Sequence, residues 1–149
     1  MIPRWVPPAT IALTAAGVGV ATYLTIAHYT SPDVLVCSGK GFVDCAKVTT
    51  SRQSIVLGIP VAVIGLVWWI AMFTLCLGVS WRSTNLLVHR TRLALAVAGI
   101  AFVLWLLYTE FVTLRAVCLW CSAVHVLSFA VFALVVIYGV EPARGDAVP

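Results

Sequence analysis

Two cysteines separated by two residues, Cys118 and Cys121, stand at the start of the last long apolar stretch of the chain. A spacing of three positions in a helix puts both side chains on one face, about one turn apart. A thiol in the first helical turn lies near unpaired backbone N–H groups and the positive end of the helix dipole, which favour the reactive thiolate. The pair therefore predicts thiol–disulfide chemistry. The alternative is that both cysteines are buried and serve only as small apolar residues in the packing of the helix.

A second pair, Cys37 and Cys45, lies in a polar segment nearer the start of the chain, with Gly39 and Gly41 between the two cysteines. Closing so short a loop has a small entropic cost, so a disulfide between them is feasible. Such a disulfide could be purely structural or could exchange with other thiols. The fifth cysteine, Cys76, has no cysteine neighbour, and we expect it to be inert. No histidine lies at ligand spacing beside Cys118 and Cys121, so no metal site is predicted.

The composition indicates that these cysteines belong to a membrane protein. Of the 149 residues, 62% are hydrophobic and 9% are charged, whereas charged residues are about a quarter of a soluble domain. The mean hydropathy is +1.09. The net charge of +4 is small and dispersed, which argues against nucleic-acid binding. We therefore expect an all-α integral membrane protein of one domain, in contact with the lipid bilayer.

Four apolar stretches are long enough to cross a hydrocarbon core of about 30 Å. They cover approximately residues 9–29, 54–79, 93–114 and 118–140, and a tail at 141–149 is expected to be disordered. Glu110 lies near the end of the third stretch, where we expect it to reach the membrane interface or pair with Arg115. The predicted fold is a four-transmembrane-helix bundle with a cysteine-bearing outer loop between helices 1 and 2.

The distribution of lysine and arginine orients these four spans. Positive residues are slightly more numerous on the side of the termini, where Arg82, Arg90 and Arg92 share one short connection. The positive-inside rule then puts both termini in the cytoplasm. Both cysteine pairs would then lie on the opposite, oxidising face, which is the extracytoplasmic or periplasmic face of a bacterial cytoplasmic (inner) membrane or the lumenal face of a eukaryotic secretory membrane. Two pairs at one membrane surface favour a relay of thiol–disulfide exchanges.

Several motifs together resemble the bacterial branch of the vitamin K epoxide reductase family. They are the loop cysteines Cys37 and Cys45, the segment Thr50-Ser51-Arg52, the segment Gly58-Ile59-Pro60, and Cys118-Leu119-Trp120-Cys121. The resemblance extends over nearly the whole chain. It implies a single-domain homologue without the fused thioredoxin-like domain that many bacterial relatives carry. It also implies a quinone pocket on the outer side of the bundle, capped by the cysteine loop.

The resemblance implies a role for each of the four paired cysteines. Cys37 and Cys45 would accept electrons from a separate thioredoxin-fold, DsbA-like protein. Cys45 would then exchange with Cys118. Cys121 would be the residue that meets the quinone, whether menaquinone, ubiquinone or a vitamin K-type molecule.

Three further residues are candidate quinone contacts. Ser51 matches the loop serine or threonine of the family. Ser54 and His125 stand where vertebrate members have an asparagine and a tyrosine, and these differences weaken an assignment to vitamin K epoxide as substrate.

The predicted function is that of a membrane thiol–quinone oxidoreductase. It would reoxidise the DsbA-like dithiol oxidase and pass the electrons to a quinone, supporting disulfide bond formation. One alternative is a reductase of vitamin K quinone or epoxide. Another is a membrane scaffold without enzymatic activity, in which the loop disulfide is only structural. A scaffold would keep its function when Cys121 becomes serine, whereas the relay would stop.

Overall fold

Apolar helices make up most of the chain, and a computed structural model describes residues 2–31, 34–37 and 41–139 of it. The four longer helices are α1 (Val6–Tyr29), α3 (Val61–Leu75), α5 (Leu86–Tyr108) and α6 (Leu119–Gly139). Three stretches, Val6–Tyr29, Leu86–Leu114 and Leu119–Gly139, are long and apolar enough to cross a membrane. The prediction of a mostly helical membrane protein is therefore confirmed. Val140 and the predicted disordered tail lie outside the described residues.

The second predicted span, 54–79, is not one continuous helix. Helix α3 has 15 residues, or about 22 Å at the helical rise, which is shorter than a hydrocarbon core of about 30 Å. The predicted boundaries are wrong because a β-hairpin precedes this helix and a break at Cys76 and Leu77 separates it from the short helix α4 (Gly78–Trp81). The count of four full-length spans stays a prediction.

The hairpin consists of β1 (Ile55–Val56) and β2 (Ile59–Pro60), which pair in antiparallel register. Leu57 and Gly58 connect them with positive φ angles of 52° and 81°, as the commonest two-residue hairpin turn requires. Pro60 then precedes the first residue of α3. This local geometry replaces the first turns of the helix that the apolar composition predicts.

The first and third long helices begin earlier than predicted. Helix α1 begins at Val6 and includes Pro7 and Pro8 as its second and third residues, where backbone N–H groups have no partner within the helix in any case. Helix α5 begins at Leu86 because the side chain of Asn85 caps it, accepting a 2.9 Å hydrogen bond from Leu87 N. The basic connection therefore belongs partly to a helix, and Arg92 is fully buried in it.

A short helix, α2 (Cys45–Thr49), lies in the polar segment between α1 and α3. Asp44 caps it, since its Oδ1 accepts a 2.9 Å hydrogen bond from Lys47 N. The sequence analysis predicted only a loop here.

Two buried clusters divide the core along the helices. The loop-end cluster lies beneath the polar segment and consists of Leu24, Ala27, Leu35, Cys45, Val48, Ala116 and Cys118. The far-end cluster consists of Ala21, Trp69, Met72, Cys76, Ala96, Val131 and Val135. Two tryptophans of α3 pack directly on glycines of neighbouring helices, because a Cβ at Gly17 would overlap the Trp69 indole and one at Gly99 would overlap that of Trp68. Close helix packing at these two points depends on the absence of a side chain.

Candidate functional site

The two cysteines of the polar segment form a disulfide. Cys37 and Cys45 have their Cα atoms 5.9 Å apart, so the predicted pairing is confirmed. Cys45 begins α2 and is buried, whereas Cys37 is partly exposed. The disulfide therefore has one half covered by protein and one half accessible from outside.

A short backbone pairing joins this segment to the residues just before α6. Val117 N donates to Phe42 O at 2.8 Å, and Asp44 N donates to Val117 O at 3.1 Å. Val117 directly precedes Cys118, and Asp44 directly precedes Cys45. The pairing therefore brings these two cysteines, far apart in sequence, into the loop-end cluster. A sulfur exchange between them would take place away from bulk water.

Cys118 and Cys121 are free thiols in a fixed relation to each other. Helix α6 begins at Leu119, and Cys121 N donates to the Cys118 sulfur at 3.4 Å. The sulfur of Cys118 thus accepts one of the unpaired N–H groups at the start of the helix. The hydrogen bond from the Cys121 thiol is the largest cause that lowers the pKa of Cys118 below its ordinary value, and backbone N–H groups add to it against the opposing effect of burial.

A cavity of about 300 Å³ lies between α1, α3, α5 and α6, next to α2. Cys121 is in its wall, and within the described residues it is the one cysteine there. The three predicted quinone contacts, Ser51, Ser54 and His125, are in the same wall, together with Glu110. The structure therefore brings all of the predicted contact residues to one cavity.

The remainder of the wall is mainly aromatic and aliphatic and includes Trp68, Trp69, Phe102 and Leu106. The two indole rings are nearly perpendicular, with centroids 4.9 Å apart. The Trp68 indole N–H donates to Leu95 O at 2.9 Å, so the polar atom of this ring is already satisfied. These residues present apolar surface to whatever occupies the cavity.

The polar groups in the wall differ in the hydrogen bonds they can still donate. Ser51 Oγ donates to Val48 O at 2.8 Å, and Ser54 Oγ donates to Ser51 O at 2.6 Å. A hydroxyl has one hydrogen, so both serines keep only acceptor capacity for a ligand. In contrast, His125 Nδ1 and Glu110 Oε2 are buried and have no hydrogen-bond partner in the described part of the chain.

Glu110 is the site residue that sequence reasoning missed. It was predicted at the membrane interface or paired with Arg115, but it is only 3% exposed, whereas Arg115 is exposed. The interfacial prediction is wrong because Glu110 continues the buried face of α5, seven residues after the buried Val103 and fourteen after the buried Ala96. The π-helical segment Thr109–Leu114 begins only at this point. The spacing of these three positions is a signal in the sequence from which the burial of Glu110 could have been predicted.

The cavity fits the quinone that the family resemblance implies. Small-molecule sites are usually apolar, with a few polar groups that fix the orientation of the ligand. The aromatic and aliphatic wall suits a flat apolar ring. The buried, unpartnered atoms of His125 and Glu110, close to Cys121, suit ring oxygens that need hydrogen-bond partners.

Comparison with known proteins assigns the chain to a family. The sequence profile of the vitamin K epoxide reductase family matches residues 8–136, which include all four paired cysteines and every residue of the cavity wall named above. A search among curated proteins gave no match.

Proposed function

The chain belongs to the vitamin K epoxide reductase family, and on that basis we propose that it is a membrane thiol–quinone oxidoreductase. In this proposal it reoxidises a thioredoxin-fold, DsbA-like dithiol oxidase and passes the electrons to a quinone. Family membership makes the chain a membrane redox protein. The partner, the quinone and the order of the cysteines are the proposed part.

The observation that carries the proposal is a series of sulfur atoms from the protein surface to the cavity. Cys37 is partly exposed and bonded to the buried Cys45. Cys45 shares a cluster with Cys118. Cys118 accepts a hydrogen bond from Cys121 N, and Cys121 lines the cavity.

Each step of the relay then follows from thiol–disulfide chemistry. The dithiol of the partner attacks at Cys37 and reduces the loop disulfide. The Cys45 thiolate next attacks a disulfide between Cys118 and Cys121, and the loop disulfide re-forms. A quinone in the cavity would take up the two electrons and two protons released when Cys118 and Cys121 join again. The lowered pKa of Cys118 supports its role in exchange, because a more acidic thiol is the better leaving group.

We also propose that α3 makes the fourth membrane crossing. Ile55, Leu57 and Ile59 of the adjacent hairpin are exposed, Leu57 at 97%, and they would extend the apolar surface of this short helix toward the interface. An even number of crossings puts both termini on one side. Basic residues on that side support a cytoplasmic assignment, with both cysteine pairs facing the periplasmic or extracytoplasmic compartment.

Turnover with purified components tests the function. The protein in liposomes receives a reduced DsbA-like protein and a short-chain quinone, and oxidised thiol and hydroquinone are measured together. We expect one hydroquinone for each partner disulfide. Cys118→Ala and Cys121→Ser should each abolish turnover. Cys76→Ala is the matched control, because Cys76 lies in the far-end cluster, and it should retain turnover.

The same assay separates the alternatives. Wild-type protein that oxidises no partner, or a Cys121→Ser protein that works normally, would overturn the proposal and favour a scaffold. The order of the relay has its own test: Cys45→Ala should accumulate a mixed disulfide between Cys37 and the partner. An adduct through Cys121 instead would reverse the proposed order.

A further inference from the structure

The carboxyl group of Glu110 is buried, borders the cavity and makes few contacts with the rest of the protein. The residue is 3% exposed and lies in the cavity wall with Cys121 and His125. Its Oε2 has no hydrogen-bond partner in the described residues. An ionised carboxylate without a partner is very costly in an apolar environment, so these surroundings favour the neutral acid. A neutral carboxylic acid has one hydrogen to donate.

The backbone fixes this carboxyl relative to the cysteines. Glu110 O accepts hydrogen bonds from the N–H groups of Arg115 and Ala116, the latter at 3.1 Å. Arg115 turns the chain sharply, with a left-handed backbone at φ 50° and ψ 42°. Val117 and Cys118 follow directly. The position of Glu110 is therefore set by the same short segment that positions Cys118.

Reduction of a quinone needs protons as well as electrons, and the cavity wall offers few donors. The hydroxyl hydrogens of Ser51 and Ser54 are already donated to backbone carbonyls. His125 has an unpartnered Nδ1, but Glu110 shares the cavity wall with Cys121, and its backbone O accepts from Ala116 N, two residues before Cys118. Glu110 can thus both donate to a ligand and recover a proton from a thiol.

We propose that Glu110 is a catalytic residue that delivers a proton to a quinone oxygen and is reprotonated from the Cys118 thiol. This inference rests on the proposed function. The S–H bonds of Cys118 and Cys121 break and one S–S bond forms, releasing two electrons and two protons. The electrons reduce the quinone to hydroquinone. Glu110 gives its proton to one oxygen and takes up the proton of Cys118, and the proton of Cys121 goes to the second oxygen.

The first test needs no turnover. Infrared spectra of the reduced, quinone-free protein should show the carbonyl band of a buried carboxylic acid, shifted in deuterated water. The band should be absent from Glu110→Gln and present in Glu110→Asp. A wild-type spectrum without a band that depends on Glu110 would show that the residue holds no proton and would overturn the inference.

The second test separates proton delivery from binding and folding. Quinone binding, followed by quenching of tryptophan fluorescence, should be nearly unchanged in Glu110→Gln, as should thiol exchange with the reduced partner measured without quinone. Single-turnover formation of hydroquinone should slow by about 100- to 10,000-fold, the usual effect of losing a general acid. Glu110→Asp should restore part of this rate, because it keeps the acid.

The two proposals fail in different ways. If wild-type protein forms no hydroquinone from its own dithiol, the proposed function is wrong. If wild type does so and Glu110→Gln does so at the same rate, the function stands and the role of Glu110 is rejected. A Glu110→Gln protein that loses quinone binding in proportion to its rate would likewise reject proton delivery and make Glu110 a binding residue.

Discussion

A buried ionisable residue lies near each end of helix α5 and its π-helical continuation, Arg92 at one end and Glu110 at the other. The two residues differ in the contacts that their side chains make. Arg92 is fully buried. Its guanidinium lies 3.7 Å from the centre of the Trp81 ring, Nη1 donates to Leu75 O at 3.3 Å, and Nη2 lies 2.9 Å from His89 Nδ1. Only its Nε has no hydrogen-bond partner in the described residues. Glu110 is equally withdrawn from solvent, but its Oε2 has no partner in the described residues and borders a cavity.

This difference indicates that Arg92 stabilises the fold, whereas Glu110 is available for binding or catalysis. The groups around Arg92 belong to three parts of the chain, and the Trp81 indole N–H donates to Thr10 of α1 at 3.1 Å. Arg92 therefore joins α3, α4 and α5 directly, and Trp81 links this group to α1, at the end of the bundle opposite the loop. Among the residues that the structure describes, Glu110 Oε2 has no hydrogen-bond partner. A buried ionisable group that stabilises no contact is expected to have a role in binding or catalysis.

Truncation of Arg92 should have the largest effect on stability. Arg92→Ala removes the ring contact and the hydrogen bonds and leaves a void, which should lower the free energy of unfolding by about 2–5 kcal/mol. Thermal and denaturant unfolding in detergent would measure this loss. Quinone reduction per folded molecule should stay close to wild type.

Glu110→Gln is the matched comparison. Its free energy of unfolding should be unchanged, whereas its formation of hydroquinone should be slowed. Arg92→Ala protein that keeps its stability but loses turnover would contradict the assignment of the two residues to different roles.

A second prediction concerns Gly99, which lies on α5 between Arg92 and Glu110 in the sequence. A Cβ at this position would overlap the Trp68 indole, and overpacking of this kind costs about 1–3 kcal/mol. Trp68 lines the cavity, so Gly99→Ala should also raise the KM for quinone without slowing thiol exchange with the partner.

Gly19→Ala is the control, because a Cβ at this helical glycine meets no atom within 4 Å. Equal effects of the two substitutions on KM would show that helix propensity, not the Trp68 contact, is responsible.

The smallest expected effect is a shift in the titration of Cys118. Its thiolate is favoured by the hydrogen bond from the Cys121 thiol, so Cys121→Ala should raise the pKa of Cys118. A neutral hydrogen bond contributes about 0.5–1.5 kcal/mol, which corresponds to a change of at most about one pH unit. At a given pH below the new pKa, less of Cys118 would be ionised and its exchange would be slower.

Thiolate absorbance in the ultraviolet, measured in a Cys76→Ala background with the matching Cys118→Ser protein as blank, would follow this titration. A curve that stays in place or moves to lower pH would contradict the proposed contact.

The cysteine pairs, the apolar helices and the membrane setting could be predicted from sequence because each depends on local composition or short spacing. The two serines and His125 could be assigned to the cavity only through the family resemblance. The burial of Arg92 and Glu110 was not predicted, because a charged side chain was expected to be exposed. Both residues nevertheless share the face of the helix that Ala96 and Val103 bury. Hydropathy does not record the contacts that cover them, such as the Trp81 ring over the Arg92 guanidinium.

The β-hairpin before α3 and the backbone pairing of the loop with Val117 are two further features that hydropathy does not predict. The segment 54–79 is apolar enough to predict one long helix, and only the positive φ angles at Leu57 and Gly58 reveal a turn. Similarly, the hydrogen bonds between Val117 and residues 42 and 44 join parts of the chain more than 70 positions apart. The sequence predicted that Cys45 and Cys118 would share a membrane surface, but not the backbone contact that brings them together.

The tryptophans of α3 have a consequence for the selectivity of sulfur chemistry. Trp69 and Cys76 belong to the far-end cluster, while Cys45 and Cys118 belong to the loop-end cluster. Trp69, seated on Gly17, and Trp68, seated on Gly99, fill the middle of the bundle between the two sets of sulfur atoms. Cys76 is 0% exposed and cannot approach the exchanging cysteines without displacing these rings. In the proposed relay, Cys76 would therefore remain a thiol while the other four cysteines exchange, and mispaired disulfides that include Cys76 would form slowly.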